Sequence, residues 1–256
     1  FSDQDFSNSI NMSGVNSINW ARIIAQSVYY FYAYFQSGFV KDNDYKELVN
    51  FSVPTGNFGD IYAGYIAKKM GLPINKLIIA TNNNDILKRV VKTGLYKPLK
   101  VKHTISPSMD IQVASNFERL LFDICSCDSM KTMKFMDDLN QKGEFKLGDE
   151  EHKKIIENFD SESLSDEETR LIINSIYKKL GILIDPHTAV GVGVANKISL
   201  KENTIVLSTA HPSKFSDTVE KETGLKPELP EALNDILLKQ EKYEKFPKDL
   251  EKIKNY

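Results

Sequence analysis

Strand-like runs alternate with helix-like segments between residues 49 and 94, and this alternation restricts the possible folds more than any other feature. The runs Val49 to Val53 and Lys76 to Thr81 are apolar and typical of strands. The segments 60–70 and 85–92 that follow them carry apolar residues at helical spacing. Strands that are joined through helices usually lie parallel in one sheet. The order therefore predicts an α/β fold with a mostly parallel sheet and helices on both faces.

A long helix-like segment precedes these strands. It runs from Asn19 to Gln36 and reads NWARIIAQSVYYFYAYFQ. Its apolar residues recur at helical spacing, and it contains more of them than a solvated surface helix needs. We therefore expect a helix here that is mostly buried.

The second half of the chain changes character twice. Residues 126–181 are charged and helical in pattern, with a capping box at Ser165 and Glu168, so we expect a helical excursion there. Sheet character is expected to return in ILIDPHTAVGVGVANKI and TIVLSTAHPSKFSDTV, before a charged helical tail punctuated by prolines. The predicted division is an α/β part at 1–125, the excursion at 126–182, the return to the sheet at 183–222 and the tail at 223–256.

Composition narrows the class of ligand and the compartment. The 256 residues are 41% hydrophobic and carry a net charge of −2, which favours a folded protein that binds small molecules over one that binds nucleic acid or a membrane surface. Cys125 and Cys127 are badly placed for a disulfide and lack the second pair of a zinc site, so we expect a reducing, cytoplasmic location and no metal. We also find no apolar run of roughly 18 residues. The chain begins at Phe1 rather than Met, and we expect it to be part of a longer one.

The stretch SVPTGNFGD, residues 52–60, joins the first of these strands to its helix. A strand, a glycine turn and a helix start gather backbone N–H groups around one point, where the helix dipole also favours negative charge. Gly56 and Gly59 are expected to take positive φ, and the Asn57 amide can donate a further hydrogen bond. The spacing fits neither the P-loop nor the dinucleotide template. We call this predicted anion site, residues 56–60, the cup. A turn that needs glycine only for its geometry explains the pattern equally well. In addition, Asp60 would repel a phosphate if its carboxylate faced the cup.

Other predicted strands also end in polar residues. TIVLSTAHPSKF ends in Ser208 and Thr209, and IIATNNND and ILIDPHTAVG end in polar clusters. The carboxyl ends of parallel strands are where ligands gather, so we expect these ends and the cup to face one crevice. Each is ordinary by itself, because such hydroxyls often cap turns, and His187 and His211 are more often structural than catalytic.

Six ordered segments together carry a resemblance to a known family. They are GVNSINWARIIAQSVYYFYAYFQ, VPTGNFGDIYAGYIAKKMGLPI, IIATNNNDIL, SPSMDIQVASNFERLL, ILIDPHTAVGV and LSTAHPSKF. Over residues 14–215 the chain resembles the C-terminal portion of threonine synthases of the longer bacterial and fungal type. The resemblance implies fold type II, the tryptophan-synthase-β-like architecture of pyridoxal-phosphate enzymes. It also implies conversion of O-phospho-L-homoserine and water to L-threonine and phosphate.

The resemblance implies roles for individual residues. Those expected to hold the cofactor phosphate are Gly56, Asn57, Phe58, Gly59 and Asp60, with the Asp60 side chain turned away from the cup. Thr209 resembles the hydroxyl that bonds the pyridine nitrogen, a role that Ser208 could take instead.

The substrate's phosphate is assigned in the same way. It is expected to meet the Ser17 hydroxyl and the Arg22 guanidinium, whose planar fork suits phosphate oxygens, although a structural salt bridge would also explain Arg22. Asn19 and Asn57 could reach the same phosphate. The other residues expected along the cleft are Asn82, Asn84 and Asp85, although a helix cap explains Asn84 nearly as well. The segment DPHTAVG is expected to back the cofactor ring, with His187 not catalytic.

One departure from the family concerns the lysine that binds the cofactor as a Schiff base. In the family it lies in a motif like FKD before the substrate-phosphate segment. None of the thirteen residues before Gly14 is lysine, and Lys41, Lys46, Lys68 and Lys69 lie in contexts that do not match. We therefore expect no catalytic residue in this chain, and an N-terminal half of the same enzyme as its partner. By itself the chain is expected to be inactive and poorly soluble.

Two other functions fit the same residues. A threonine-synthase-like phospholyase would eliminate phosphate from a related substrate without making threonine. A non-catalytic protein could have kept the phosphate cup after the lysine was lost. The motifs GNFGD and LSTAHPSKF match the synthases closely, which favours the synthase over the phospholyase.

Overall fold

A computed structural model describes residues 3–11, 18–39, 46–233 and 235–256. The chain divides into two compact units, one formed by Ser17–Pro227 and the other by Phe1–Asn16 together with Glu228–Tyr256. The strands of the described residues are β1 Val49–Pro54, β2 Ile74–Thr81, β3 Leu95–Tyr96, β4 Phe145–Lys146, β5 Phe159–Ser163 and β6 Thr204–Val206. The helices are α1 Gln4–Ser9, α2 Trp20–Gln36, α3 Gly59–Lys69, α4 Ile86–Thr93, α5 Phe117–Ile124, α6 Ser129–Lys142, α7 Asp149–Asn158, α8 Asp166–Leu180, α9 Pro186–Ile198, α10 Ser216–Thr223 and α11 Leu250–Lys254.

The larger unit is built on a parallel sheet with the strand order β5-β2-β1-β6. Side chains of β2 alternate between its two faces, as in any strand. Leu77 and Ile79 belong to the larger core, which includes residues of α2 to α5, whereas Ile78 and Ala80 pack with residues of α9. The predicted α/β architecture with a parallel sheet and helices on both faces is thus confirmed. The strands β3 and β4 form a separate antiparallel pair.

The first predicted elements form where the sequence places them. The strands at Val49 and Lys76 and the helices at 60–70 and 85–92 correspond to β1, β2, α3 and α4. The capping box also forms, because the Ser165 hydroxyl accepts from the Glu168 N–H while the Glu168 carboxylate accepts from the Ser165 N–H. Local signals were sufficient for these elements.

The expectation of sheet character in ILIDPHTAVGVGVANKI is wrong, because Pro186–Ile198 is helix α9. The Asp185 side chain caps it by accepting from the N–H groups of His187 and Thr188, and Pro186 occupies the first turn, where its missing N–H does no harm. Valines suggested a strand, but the glycines let this helix lie close to the sheet. A Cβ on Gly191 would lie 2.9 Å from Val206 Cγ1.

The segment predicted as a helical excursion contains strand β5, which joins the sheet beside β2. Its sequence FDSES has one large apolar residue, Phe159, and so lacks the pattern of a strand. The Ser161 hydroxyl is buried and donates to the Ile79 carbonyl at 2.8 Å. Pairing with β2 and this side-chain bond hold the strand in place of apolar alternation.

Helix α2 is not mostly buried, contrary to expectation. One stripe, formed by Ile23, Ser27, Tyr30 and Tyr34, faces the core. Beside it, Val28 is 60% exposed and Tyr32 67% exposed within the described part of the chain. The sequence predicted the helix correctly but could not show which apolar residues have neighbours.

The predicted helical tail is mostly irregular. Among the described residues after Gly224, only Leu250–Lys254 is α-helical, with short 3-10 turns at Glu231–Leu233 and Ile236–Leu238. Prolines at 227, 230 and 247 remove backbone donors that a continuous helix would need. Across the described ranges, no helix combines the length and the apolar character needed to cross a membrane.

Candidate functional site

The turn between β1 and α3 leaves a run of backbone N–H groups without partners among the described residues. The Thr55 N–H donates to the Ala80 carbonyl at 2.8 Å, and Tyr62 resumes the helical pattern by donating to the Phe58 carbonyl. Between them, the six N–H groups of residues 56–61 donate to no described residue. Phe58, at the helix N-cap, supplies no side-chain cap. The first turn of α3 therefore presents several free donors together with the positive end of the helix dipole.

The turn is not built as predicted, because neither Gly56 nor Gly59 has positive φ. Phe58 takes the left-handed conformation instead, with φ of 68°. Its ring is buried edge-on against Phe117, with the ring centroids 5.3 Å apart. Packing of this ring offsets the backbone strain that a non-glycine residue has in this region.

Gly56 is required for a different reason, which is the close approach of another segment. A Cβ at this position would lie 2.6 Å from the Ser108 carbonyl oxygen, closer than such atoms approach in proteins. Ser108 belongs to a short 3-10 turn, Pro107–Met109, far from Gly56 in sequence. The loop that contains Ser108 therefore forms a wall over the β1–α3 turn.

A cavity of about 140 Å³ adjoins the turn and brings several predicted residues together. Arg22 and Gln26, one turn apart on α2, form one side of it, and Ser108 lines it as well. The remaining lining residues are Pro54, Thr55, Gly56, Asn57, Phe58, Gly59 and Asp60. The five cup residues and Arg22, predicted from separate segments, thus line one cavity.

Asp60 lies at this cavity in an unusual electrostatic setting. The Tyr30 hydroxyl is 2.8 Å from the Asp60 carbonyl oxygen and 3.2 Å from its Oδ1. Burial raises the pKa of the Asp60 carboxyl from its ordinary 3.8 to about 6, against the weaker opposing effect of the Tyr30 hydrogen bond. At pH 7 a carboxyl with this pKa is still mostly ionised, and it becomes neutral only as the pH falls below about 6.

Ser208 and Thr209 follow β6 at the same edge of the sheet as the cup. Val206 pairs in parallel with Ser52, so the chain beyond it reaches the level of Pro54. The Ser208 hydroxyl lies 3.2 Å from Thr188 Oγ1. Both residues are exposed, and neither lines the 140 Å³ cavity.

The polar residues after β2 are engaged within the protein. Asn82 Nδ2 donates to Thr104 Oγ1 and to Asp110 Oδ1, both at 2.8 Å. Asn84 Nδ2 donates to the Lys102 carbonyl at 2.8 Å and to Asp110 Oδ1 at 3.0 Å. These buried amides fasten the loop 99–116 to the end of β2.

The other predicted substrate contacts lie apart from the cavity. Asp85 forms an ion pair with Arg89 at 2.9 Å, and neither Asn84 nor Asp85 lines the cavity. Asn19 caps α2 by accepting from the Ala21 N–H at 2.9 Å. Ser17 lies outside the described residues. The substrate roles of these four residues remain predictions.

Two residues that line the cavity were missed by sequence reasoning. Gln26 follows Arg22 at helical spacing, which was a usable signal because residues i and i+4 share a helix face. Ser108 gave no such signal, because it reaches the cavity only through the path of the loop 99–116, which the sequence did not predict.

Comparisons with known proteins identify the family of the chain. Residues 188–256 match the family model for the C-terminal domain of threonine synthase. The threonine synthase of Pseudomonas aeruginosa is 44% identical over 259 residues, covering 100% of this chain and 54% of the relative. That of Saccharomyces cerevisiae is 47% identical over 242 residues, covering 86% of this chain and 46% of the relative.

A solved structure shows the same likeness. The crystal structure of threonine synthase from Brucella melitensis, which has pyridoxal phosphate bound, matches with a TM-score of 0.93 at 45% identity. The match covers 100% of this chain and 54% of that one. The predicted family resemblance and fold class are confirmed, and the chain spans about half the length of the relatives it matches.

Proposed function

Because this chain belongs to the threonine synthase family and spans about half the length of its relatives, we propose that it is the C-terminal part of such an enzyme. The complete enzyme would use pyridoxal 5'-phosphate to convert O-phospho-L-homoserine and water to L-threonine and phosphate. The observation that carries this proposal is the run of six free backbone N–H groups at a cavity lined by Arg22.

The β1–α3 turn fits the cofactor's phosphate. Phosphate oxygens accept several hydrogen bonds at once, and the free N–H groups of residues 56–61 offer them at the positive end of α3. Gly56 leaves the backbone bare where the oxygens must approach. When bound, the cofactor supplies an electron sink for the substrate's α-carbon, and the residues of this chain hold and orient it.

Arg22 supplies the charge that the backbone donors lack. Its planar guanidinium is a cation that can form a two-pronged contact with phosphate oxygens. Gln26 lies one turn further along the same face of α2 and adds a neutral donor. We assign both to the substrate's phosphate, next to the cofactor phosphate in the cup.

Thr209 is assigned to the cofactor's pyridine nitrogen, with Ser208 as its neighbour. Both follow β6 at the edge of the sheet where the cup lies. A neutral hydroxyl leaves that nitrogen largely unprotonated, which weakens the electron sink compared with a carboxylate partner.

A second segment of polypeptide is needed for the reaction. Among the described residues, no lysine lines the cavity at the cup. Helix α2 leaves Val28 and Tyr32 largely exposed, and β6 lies at one edge of the described sheet. An N-terminal half like that of the relatives would cover such surfaces and bring the lysine, so these 256 residues alone are expected to make no threonine.

The proposal is tested on the purified chain in two steps. First, inorganic phosphate and pyridoxine 5'-phosphate, which lacks the reactive aldehyde, should compete for the cup in titration calorimetry. Failure of either to bind would contradict the cup assignment. Second, the chain is incubated with pyridoxal phosphate and O-phosphohomoserine and then reduced with borohydride. One stoichiometrically labelled lysine together with threonine would show that the cofactor's anchor lies in this chain, whereas 2-oxobutanoate as product would favour the phospholyase.

A further inference from the structure

Asp185 and His187 form a buried pair at the start of α9, and the proposed function gives neither residue a role. Asp185 is 0% exposed and His187 4% exposed. Asp185 Oδ1 lies 2.8 Å from the His187 backbone N and 2.9 Å from His187 Nδ1. One carboxylate oxygen therefore fixes both the backbone and the ring of the histidine.

The other ring nitrogen reaches the wall of the cup. The Ser108 N–H donates to His187 Nε2 at 3.3 Å, so Nε2 is the acceptor nitrogen and Nδ1 carries the hydrogen that Asp185 accepts. The carbonyl of the same Ser108 lies against Gly56. Phe215 closes off the ring, with the ring centroids 4.8 Å apart. His187 thus ties the loop over the cup to the cap of α9.

The second oxygen of Asp185 leads to the end of β6. Asp185 Oδ2 accepts from the Thr188 hydroxyl and lies 3.3 Å from the Thr188 backbone N. The Thr188 hydroxyl in turn lies 3.2 Å from Ser208 Oγ. A single buried carboxylate therefore connects Ser108 at the cup with Ser208 beside the predicted pyridine-nitrogen site.

We propose that Asp185 and His187 are positioning residues that hold the two ends of the ligand site at a fixed separation. His187 sets the place of Ser108 at the phosphate end, and Thr188 sets the place of Ser208 at the ring end. The inference rests on the proposed function, since it assumes a phosphorylated pyridine ligand that spans both ends. Fixing these groups before binding lowers the ordering cost when the ligand arrives.

Two substitutions of His187 separate its two hydrogen bonds. His187→Asn places an amide near the Nδ1 position, which keeps the donor to Asp185, but leaves nothing at the Nε2 position. His187→Gln places an amide oxygen near the Nε2 position and keeps the acceptor for Ser108. We expect His187→Asn to weaken inorganic phosphate binding about three- to tenfold, the effect of one net hydrogen bond. His187→Gln should bind phosphate nearly as the unaltered chain does.

Substitutions of Thr188 test the ring end. Thr188→Val removes the hydroxyl between Asp185 and Ser208, and Thr188→Ser keeps it. Thr188→Val is expected to leave inorganic phosphate affinity unchanged and to weaken pyridoxine 5'-phosphate about three- to tenfold. Thr188→Ser should restore the lost affinity. A purely structural role would lower both affinities together, or neither.

The outcomes distinguish this inference from the proposed function. Equal phosphate affinities for the unaltered chain, His187→Asn and His187→Gln would overturn the role of His187. An equal loss of affinity for inorganic phosphate and for pyridoxine 5'-phosphate in Thr188→Val would overturn the role of Thr188. If the unaltered chain binds no phosphate, the cup assignment fails instead. Hydrogen exchange at the Ser108 amide then decides the inference, with faster exchange in His187→Asn expected and an unchanged rate contradicting it. If His187→Asn does not fold, the Thr188 pair decides it.

Discussion

Two turns at the same edge of the sheet have the same place in the fold but differ in their hydrogen bonds. The β1–α3 turn, residues 55–58, and the β2–α4 turn, residues 82–85, each connect a buried parallel strand to a helix. In the β2–α4 turn, Asn82 and Asn84 bind the loop 99–116 through buried amides. In the β1–α3 turn, the backbone N–H groups from Gly56 onward donate to no described residue.

The difference is the reason we propose a ligand site at the β1–α3 turn and not at the β2–α4 turn. Both turns contain asparagine, with one in the β1–α3 turn and three in the β2–α4 turn. Side-chain amides that reach a neighbouring loop satisfy one another and close the turn, whereas backbone N–H groups at a helix start have no acceptor nearby. Backbone N–H groups without an acceptor among the described residues, rather than the polarity of the segment, indicate the proposed site.

The largest expected effect is on stability and comes from disrupting the β2–α4 turn, the closed turn, whose side chains bind the neighbouring loop. The β1–α3 turn, whose backbone donors are free of described partners, is the open turn. Asn82→Ala removes the donors to Thr104 and Asp110, and the acceptor for the Asn84 N–H, within a buried network. We expect the free energy of unfolding in urea to fall by about 3 kcal/mol, because several buried groups lose partners together. The matched variant Asn57→Ala in the open turn should lower it by less than about 1 kcal/mol. Equal losses in the two variants would remove the distinction between the turns.

The next effect concerns the charge at the open turn. Burial raises the pKa of Asp60 to about 6 in the folded chain, against 3.8 ordinarily, so the folded state holds this proton more tightly than the unfolded state. The stability contributed by Asp60 is therefore fully present below about pH 4 and is lost as pH rises toward 6. Asp60→Asn should be no more stable than the unaltered chain at pH 4, but about 2 kcal/mol more stable at pH 7.5. Urea unfolding at both pH values measures this, and a gain that does not grow with pH would contradict the buried carboxyl.

A smaller effect on stability, with a large one on binding, is expected at Gly56. Gly56→Ala would place a Cβ 2.6 Å from the Ser108 carbonyl oxygen, so the loop must shift. We expect the free energy of unfolding to fall by about 1–2 kcal/mol. Phosphate affinity, measured by calorimetry, should fall more than about tenfold because the wall over the cup moves. Gly181→Ala is the control. It has positive φ but nothing within 4 Å, so it should lose about 1 kcal/mol and bind phosphate normally. Normal phosphate binding by Gly56→Ala would show that the wall is not part of the site.

The smallest effect is expected at Arg22, which faces the open turn from α2. Arg22→Lys keeps the charge but loses the planar fork, so affinity for the phosphate of O-phosphohomoserine should fall about three- to tenfold with no change in stability. Arg170→Lys, at the remote ion pair with Glu222, provides the control for the same chemical change and should leave phosphate affinity unchanged. An affinity for Arg22→Lys equal to that of the unaltered chain would favour the structural role of Arg22.

Local sequence determined much of this protein. The strands at Val49 and Lys76, their helices and the Ser165 capping box depend on neighbours a few residues away, so their patterns predicted them. The motifs also predicted the family and placed the cup residues and Arg22, which the fold then brought to one cavity. These features required only the chemistry of short segments.

Tertiary structure decided the rest, because the deciding contacts are distant in sequence. Strand β5 exists because β2 offers it a partner, and α9 can lie against the sheet because Gly191 has no side chain. Phe58 rather than a glycine takes positive φ, since its ring has a buried place against Phe117. Likewise, the amides of Asn82 and Asn84 are taken up by a loop some twenty residues further along the chain. A sequence shows which groups can donate, but only packing decides which of them are left for a ligand.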